Sequence, residues 1–327
     1  MLITSGRYLV LGATGLVGSH VLCKLKDNAI VQVRAHFHRR EPKIFAKNIN
    51  YVQGDLKVKE CHAEFTRDID YVLMCAGVLS TAQMIAKDPI TPVMDNLLMT
   101  AHALEAAWRA GVKKFIWLSS VTGYPESSGE IAEDEMFVGD PPDVHYPVGW
   151  MTRYLETMGR MYAEKLKLPM TAVALRPTMI YGPYDNFDFS TCHFLPALIR
   201  RVVERQNPIE IWSDGAEARD LVFGADVADA CLLATRLVSG WATFNLSFGR
   251  TYTINELAKK LIEIDGFKDA RIAHLPKGLA TSANRTFSNK KLRNYLGYRP
   301  STSIEEGLKA TIRWYRENRE LVAPEGG

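Results

Sequence analysis

Three glycines near the start of the chain limit what it can fold into. They are Gly12, Gly15 and Gly18 in "RYLVLGATGLVGSH", where a short apolar run precedes them and apolar residues at helical spacing follow. Glycine lets the backbone turn tightly and approach a pyrophosphate, whose charge the N-terminus of the next helix stabilises. The place of this turn between a strand and a helix predicts a dinucleotide site. Within the turn we also assign cofactor contacts to Thr14, Leu16 and Val17.

Strand and helix patterns alternate through the first half of the chain. After "VQVRAHF" and "DYVLMCAG", the helix pattern "PVMDNLLMTAHALEAAWRAG" leads to the strand pattern "KFIWLSS" and then to a further helix and strand. This order predicts an α/β fold with a Rossmann-type doubly wound parallel sheet. Beyond residue 183 the pattern loosens into a smaller mixed α/β C-terminal lobe. We expect a dinucleotide-binding domain over 1–183, to which 219–245 returns, and a second lobe over 184–327.

The bulk composition excludes several classes of protein. The 40 basic and 37 acidic residues are spread along the chain and give a net charge of +3, so no nucleic-acid surface is indicated. The five cysteines have no metal-like spacing, which predicts no metal site and reduced thiols in a cytoplasmic protein. No apolar run approaches the roughly 18 residues of a membrane helix. The apolar N-terminus is interpreted as a strand and not as a signal peptide.

Two arginines after the second strand bear on the identity of the dinucleotide. An NAD site usually has an acidic residue there for the ribose 2′-hydroxyl, whereas this chain has Arg39 and Arg40 in "HFHRRE". This favours NADP, with NAD possible; the alternative is a solvated basic loop that binds nothing. The segments "QGDL" and "CAG" also follow strands and suit an adenine shelf and a close backbone approach. Their assigned cofactor residues are Asp55, Leu56, Cys75, Ala76 and Gly77.

Together these motifs resemble the extended short-chain dehydrogenase/reductase superfamily, the NAD-dependent epimerase/dehydratase family, whose members epimerise, reduce or dehydrate nucleotide sugars. The resemblance covers nearly the whole chain and rests on "GATGLVG", "GDL", "KKFIWLSSVTGYP", "LRPTMIYGPYDNF" and "ARDLVFGADVADA". Within the superfamily, "YGPYDNFDFSTCHFLPALIRR" is similar to a stretch of GDP-fucose synthases, which act on GDP-4-keto-6-deoxymannose. The resemblance implies a nucleotide-sugar substrate, linked to GDP, bound by the lobe over 184–327.

The resemblance also implies roles for residues near the reacting sugar. Ser120 falls at the superfamily's active-site serine, which hydrogen-bonds the reacting carbonyl, and His193 at a histidine that acts as an acid/base in GDP-fucose synthases. The cysteine that works with that histidine is Thr122 here. A hydroxyl has a pKa far above neutrality and cannot exchange a C–H proton as a thiolate can. The alternative for Ser120 and His193 is a structural role in the strand end and the helix start.

Further residues match ligand-binding positions of the resembled family. The planar guanidinium of arginine suits a diphosphate, although a solvated helix face is the alternative for the arginines. The implied substrate contacts are Asn186, Arg201, Trp212, Arg219 and Arg285, and the implied cofactor contacts are Pro177 and Met179.

Two positions depart from the superfamily pattern. Its dehydrogenases carry Tyr-x-x-x-Lys on the helix that starts near residue 148, where the tyrosine transfers a proton and the lysine lowers the pKa of that tyrosine. In "HYPVGWMTRYLETMGRMY" the two positions are Val148 and Thr152 if they are placed by Glu156. Counting back from Pro177 without a gap would instead place Trp150 and Tyr154 there. No tyrosine of this segment has a lysine four residues later.

Three explanations of this departure remain. Another group could transfer the proton, with Tyr146, Tyr124 and His193 as candidates; the reaction could need no strong proton donor; or the protein could only bind its ligands. We predict an NADP(H)-binding epimerase or reductase of a nucleotide sugar with a non-standard active site and with Tyr146 or His193 as proton donor. The alternative is a catalytically impaired relative with a regulatory or scaffold role. A homodimer through the helices around 97–108 and 151–166 is implied by resemblance alone.

Overall fold

The structure, a computed structural model, describes residues 3–78, 87–127, 129–276 and 285–322. Its largest element is a seven-stranded sheet in which all neighbouring strands are parallel. Numbered in chain order, the strands are β1 (Gly6–Leu11), β2 (Val31–Phe37), β3 (Ile49–Gln53), β4 (Tyr71–Met74), β5 (Lys114–Leu118), β7 (Thr171–Pro177) and β11 (Trp241–Leu246). Their order across the sheet is β11-β7-β5-β4-β1-β2-β3. The predicted Rossmann-type parallel sheet is confirmed, and its strand order reverses at β1 and β4, where such sheets bind ligands.

Helices cover both faces of this sheet because its strands are apolar on both sides. Along β1, Tyr8 and Val10 pack into one hydrophobic cluster, whereas Leu9 and Leu11 pack into another. The first cluster includes α1 (Leu16–Leu25) and α6 (Gly224–Leu237). The second includes α2 (Lys59–Thr66), α3 (Ile90–Arg109) and α4 (Tyr146–Glu164).

A smaller mixed lobe follows, as the sequence predicts. Its strands are β8 (Met179–Tyr181), β10 (Ala218–Phe223) and β12 (Thr251–Thr253) in one sheet, and β9 (Ile209–Trp212) with β13 (Ile272–Leu275) in another. Its helices are α5 (Phe194–Val203), α7 (Ile254–Asp265) and α9 (Ile304–Val322), which share a core with these strands. The remaining elements are β6 (Glu130–Ile131), β14 (Thr286–Phe287) and α8 (Lys290–Leu296). After β10 the chain returns to the large sheet, since α6 packs against α1 and β11 pairs with β7.

Three further features bear on the type of protein. No helix in the described part of the chain is long and apolar enough to cross a membrane. The five cysteines are free thiols. Within the same described ranges, no group of three or more His, Cys, Asp or Glu side chains is placed to hold a metal ion.

Candidate active site

The glycine-rich turn joins β1 to α1, and its glycines meet separate steric requirements. Gly12 has φ of +77°, and a Cβ there would lie 2.6 Å from the backbone of Ala76. A Cβ on Gly18 would lie 2.2 Å from the carbonyl oxygen of Gly12. Gly15 is the N-cap residue of α1. Since backbone N–H groups in the first turn of a helix have no partner within the helix, this turn can bind a phosphate through them.

A histidine that the sequence analysis did not single out holds this turn in place. The Nδ1 of His36 accepts a hydrogen bond from the backbone N–H of Gly12 at 3.3 Å, and its Nε2 lies 2.9 Å from the carbonyl oxygen of Gly54. Because Nδ1 accepts, the ring is neutral and its proton is on Nε2. Burial lowers the pKa of His36 to about 4, so the ring keeps this form at neutral pH.

The two arginines after β2 lie beside the same turn. The Nη1 of Arg40 donates to the carbonyl oxygens of Thr14, at 3.5 Å, and of Tyr184, at 3.3 Å. Arg39 and Arg40 both line a large cleft that starts at the turn. Two guanidinium groups can therefore meet an anionic ligand there.

This cleft has a volume of about 1450 Å³ and is open to solvent. The predicted cofactor residues that line it are Thr14, Gly15, Leu16, Val17, Arg39, Arg40, Cys75, Ala76, Gly77, Pro177 and Met179. The predicted catalytic and substrate residues that line it are Ser120, Thr122, Asn186, His193, Arg201, Trp212, Arg219 and Arg285. The fold thus brings the two predicted groups of residues into one cleft between the sheet and the smaller lobe.

Four predicted cofactor residues do not line the cleft. Gly12 and Gly18 lie beneath the turn, where the absence of a Cβ lets neighbouring backbone approach closely. Leu56 is buried in the core below β1, and Asp55 accepts a hydrogen bond from the backbone N–H of Lys57 at 2.9 Å. The assignment of Asp55 and Leu56 to an adenine shelf therefore stays a prediction.

The turn after β5 carries the predicted active-site hydroxyls. The Oγ of Ser120 accepts hydrogen bonds from the backbone N–H of Thr122, at 3.1 Å, and from its Oγ1, at 2.9 Å. The Ser120 O–H is left to donate to a ligand in the cleft. Beneath it, Ser119 donates to Glu156 at 2.5 Å, and Glu156 forms a fully buried ion pair with Arg176 at 2.5 Å. This network ties β5, β7 and α4 together, and only the structure reveals its partners.

Helix α4 presents short side chains to this turn at the two positions that depart from the superfamily pattern. Val148 and Thr152 are both buried and both line the cleft. The helix packs directly on the turn, since a Cβ on Gly149 would lie 2.9 Å from the carbonyl oxygen of Thr122. The described residues that line the cleft include no lysine. They include one tyrosine, Tyr184, which lies beside the glycine-rich turn.

Neither tyrosine that the sequence suggested as a proton donor reaches the cleft. Tyr146 is 47% exposed, packs its ring against Trp150 and does not line the cleft. Tyr124 is fully buried, donates to the side chain of Asn245 at 2.5 Å and accepts from Arg176 at 2.6 Å. The assignment of Tyr146 is therefore corrected, because its side chain leaves the start of α4 on the outer surface. Of the three sequence candidates, His193 alone lines the cleft.

The smaller lobe supplies the cationic wall of the cleft. His193 is the N-cap residue of α5, and burial lowers its pKa below the usual range. The Nη2 of Arg219 lies 3.0 Å from a carboxylate oxygen of Glu217, and Arg201 lies in the last turn of α5. Trp212 is 53% exposed and offers an aromatic face at the same cleft. This wall can bind a diphosphate and a flat ring.

Two residues near Ser120 complete this end of the cleft. Arg285 donates from Nη2 to the carbonyl oxygen of Val121 at 2.8 Å. His145, which the sequence analysis did not assign, also lines the cleft. The sequence could have indicated this position, because His145 lies three residues before Val148, which is close to one helical turn.

The fold and the cleft together define a Rossmann-type α/β protein whose ligand site lies at the carboxyl ends of the parallel strands and extends into a second lobe. The sequence model of the NAD dependent epimerase/dehydratase family matches residues 8–246, which is well over half of the chain. The chain belongs to this family. The predicted resemblance is thereby confirmed.

Individual relatives cover almost the full length of the chain. A protein named putative GDP-L-fucose synthase 2 from Arabidopsis thaliana is 28% identical over 97% of this chain and 94% of its own length. Among solved structures, the UDP-glucose 4-epimerase of Thermotoga maritima with UDP-glucose has a TM-score of 0.84 and 25% identity, covering 96% of this chain and all of its own. The protein MoeE5 with UDP-glucose and NAD has a TM-score of 0.83 and 26% identity, with the same coverage.

Proposed function

We propose that this protein is an NADP(H)-dependent epimerase or reductase that acts on a nucleotide sugar, and specifically on a GDP-sugar. The observation that carries this proposal is the single cleft in which the glycine-rich turn, Ser120, His193 and the arginines of the smaller lobe meet. Membership of the epimerase/dehydratase family supports the same class of reaction.

The dinucleotide would bind at the β1–α1 turn, within the domain that we assign to residues 1–183. The chain fits this group, because Gly12 and Gly18 permit the tight turn and Gly15 is the N-cap residue of α1, whose first backbone N–H groups can bind a phosphate. Arg39 and Arg40 would bind the 2′-phosphate that distinguishes NADP from NAD. The related MoeE5 structure contains NAD, so the preference for NADP rests on these two arginines.

The nucleotide sugar would bind in the lobe that we assign to residues 184–327. Arg201 and Arg219 would bind the diphosphate, with Asn186, Trp212 and Arg285 as further contacts. The choice of a GDP-sugar is supported by the curated relative named for GDP-L-fucose. The structure of the Thermotoga relative contains UDP-glucose. A test of which nucleotide base the protein accepts must therefore compare a GDP-sugar with a UDP-sugar.

The reaction requires a hydride donor or acceptor and groups that move protons. When bound, the nicotinamide supplies or accepts the hydride at a sugar carbon. Ser120 would donate its O–H to the oxygen of that carbon. His193 would exchange a proton at the neighbouring carbon, since it is a partly buried, neutral imidazole in the cleft. Thr122 would only orient Ser120, because its hydroxyl is too weak an acid for that exchange.

The test uses the purified full chain with defined ligands. NADPH and NADH are titrated separately, and GDP-mannose, GDP-4-keto-6-deoxymannose and UDP-glucose are then incubated with each cofactor. Reduced nicotinamide is followed by absorbance, and products are identified by mass spectrometry and by NMR in D₂O, which also detects epimerisation without net reduction. Turnover of a GDP-sugar with NADPH is expected. Turnover of UDP-glucose alone would contradict the GDP assignment.

A second candidate function is a binding module without catalysis. It is favoured by one observation, namely that Val148 and Thr152 face the cleft where the superfamily carries its tyrosine and lysine. In the same experiment, tight binding of NADPH and of GDP-mannose without turnover of any sugar would identify this function. Absence of both binding and turnover would contradict both candidates.

We also propose a homodimer through α3 and α4. Tyr154 and Met161 on α4 and Met94 on α3 are large side chains exposed to solvent, and burying them against a second copy would remove apolar surface from water. Light scattering is expected to give twice the chain mass for the wild type and the chain mass for Tyr154→Glu. A monomeric wild type would contradict the proposal.

A further inference from the structure

His145 lies three residues before Val148, the position at which the superfamily pattern carries a tyrosine. It is the N-cap residue of α4, and its side chain and that of Val148 both line the cleft. The turn that carries Ser120 packs on this same end of the helix, as the contact between Gly149 and Thr122 shows. An imidazole is thus available in the same part of the cleft as the serine that would bind the sugar oxygen.

One nitrogen of the His145 ring makes no hydrogen bond within the described residues. This nitrogen, Nδ1, is buried. The residue contributes to the helix start through its backbone, whose N–H donates to the carbonyl oxygen of Pro142 at 2.8 Å. A buried polar atom without a partner destabilises the folded state. A ligand that completes this hydrogen bond would remove that destabilisation.

The charges around His145 favour a neutral ring. Burial lowers the pKa of His145 below its usual range, and the nearby guanidinium groups of Arg285 and Arg219 lower it further. Arg219 is paired with Glu217, and Arg285 also lies near the acidic Glu126. A neutral imidazole can accept a proton at neutral pH. A diphosphate bound by Arg219 would offset the cationic charge and raise the pKa of His145 towards its usual value.

We propose that His145 is a catalytic residue that exchanges the proton on the sugar oxygen at the carbon that gains or loses the hydride. This inference rests on the proposed function. In the oxidising direction the sugar O–H bond breaks and its proton forms an N–H bond on His145. The C–H electron pair leaves as hydride to the nicotinamide, and the C=O bond forms. In the reducing direction each of these changes runs backwards, so the imidazolium returns its proton to the oxygen.

The other side chains nearby cannot perform this step. Val148 has no ionisable group, and the hydroxyls of Thr122 and Thr152 have pKa values far above neutrality. His193 belongs to the smaller lobe, where it would serve the neighbouring carbon. His145 and His193 are the imidazoles among the described residues that line the cleft, and their placement on different lobes suits two separate proton transfers.

The test compares His145→Gln and His145→Ala with the wild type, and His274→Gln serves as a matched control because His274 is exposed and lies outside the cleft. With the nucleotide sugar that the wild type converts, both His145 variants are expected to lower kcat by about 10²- to 10⁴-fold. The dissociation constant for NADPH should not change. NMR of the imidazole resonances should show His145 titrating below the usual histidine range and its pKa rising when GDP is added.

Three outcomes would overturn the proposal. The first is an unchanged kcat in His145→Gln. The second is a loss of activity that accompanies loss of NADPH binding or of folding in both variants, since this indicates a structural role. The third is a pKa of His145 that does not respond to GDP while GDP binds. If the wild type converts no nucleotide sugar, the proposed function fails and this inference fails with it; an active wild type with active His145 variants overturns this inference alone.

Discussion

The two ends of the cleft are built in different ways. At the dinucleotide end, backbone shape decides the geometry: Gly12 and Gly18 are glycine because a Cβ at either position would overlap the neighbouring backbone. At the end where we propose that the sugar binds, single side chains such as Ser120, His145 and His193 line the cleft and would decide the chemistry. The backbone requirement at these positions admits glycine alone, whereas several types of side chain can transfer a proton. We infer that the chemistry of this family can change at the sugar end while the dinucleotide end stays fixed.

The largest expected effect tests the backbone requirement directly. Gly12→Ala should lower the free energy of unfolding by about 3–5 kcal/mol, because it adds overlap with Ala76 to the strain of a left-handed backbone. The matched control is Gly111→Ala, which has φ of +73° with no atom within 4 Å of its Cβ. The control should lose only about 1–2 kcal/mol. Urea unfolding measures both, and equal losses would contradict the steric explanation.

The second effect concerns the histidine that holds the glycine-rich turn. His36 has a pKa of about 4 when folded and 6.5 as a free side chain. Between these values an acidified solution protonates the unfolded chain but not the folded one, so stability falls with falling pH. From pH 6.5 to 4.5 this group should account for on the order of 2–3 kcal/mol. The stability difference between the wild type and His36→Asn should therefore shrink over this range, and a constant difference would refute the assignment.

The third prediction tests whether the two ends of the cleft bind their ligands independently. Arg219→Ala removes a charge-assisted contact to the diphosphate and should weaken GDP binding by about 10- to 100-fold. NADPH binding should be unaffected, because Arg219 belongs to the smaller lobe. Arg236→Ala is a suitable control, since Arg236 is exposed at the end of α6 and does not line the cleft. Calorimetry with both ligands measures the change, and equal weakening of GDP and NADPH would show that the ends are coupled.

The smallest effect concerns the choice of cofactor. The double variant Arg39→Ala with Arg40→Ala should weaken NADPH binding by about 10-fold, because it removes the proposed contacts to the 2′-phosphate at a solvated site. NADH lacks this phosphate and serves as the internal control. Equal weakening of both dinucleotides would show that the arginines bind some other part of the cofactor.

Sequence patterns predict the dinucleotide end well because steric rules act between near neighbours in the chain. The parallel sheet and the turn at Gly12 follow from short-range alternation and spacing and are confirmed. The role of His36 does not follow in this way, because its partners Gly12 and Gly54 come together only when β2 pairs with β1 and β3.

The sugar end shows a second limit. Tyr146 and His145 are neighbours in the sequence, yet one is exposed and the other lines the cleft. Each residue turns an α-helix by about 100°, so the residue at which α4 begins decides which side chain faces Ser120. A sequence pattern locates a helix start only to within a few residues. The side chain that this helix start presents to Ser120 therefore cannot be located from the sequence pattern.

The buried pair of Glu156 and Arg176 has a consequence for how this site could be re-engineered. It fixes the rotation of α4 relative to the sheet through residues that do not touch the cleft. Breaking such a buried pair costs about 3–5 kcal/mol, so the helix holds its orientation whatever stands at positions 148 and 152. Positions 148 and 152 can therefore carry different side chains while the helix keeps its orientation. A chain with Val148→Tyr and Thr152→Lys should present both new side chains to Ser120 without refolding the helix beneath them.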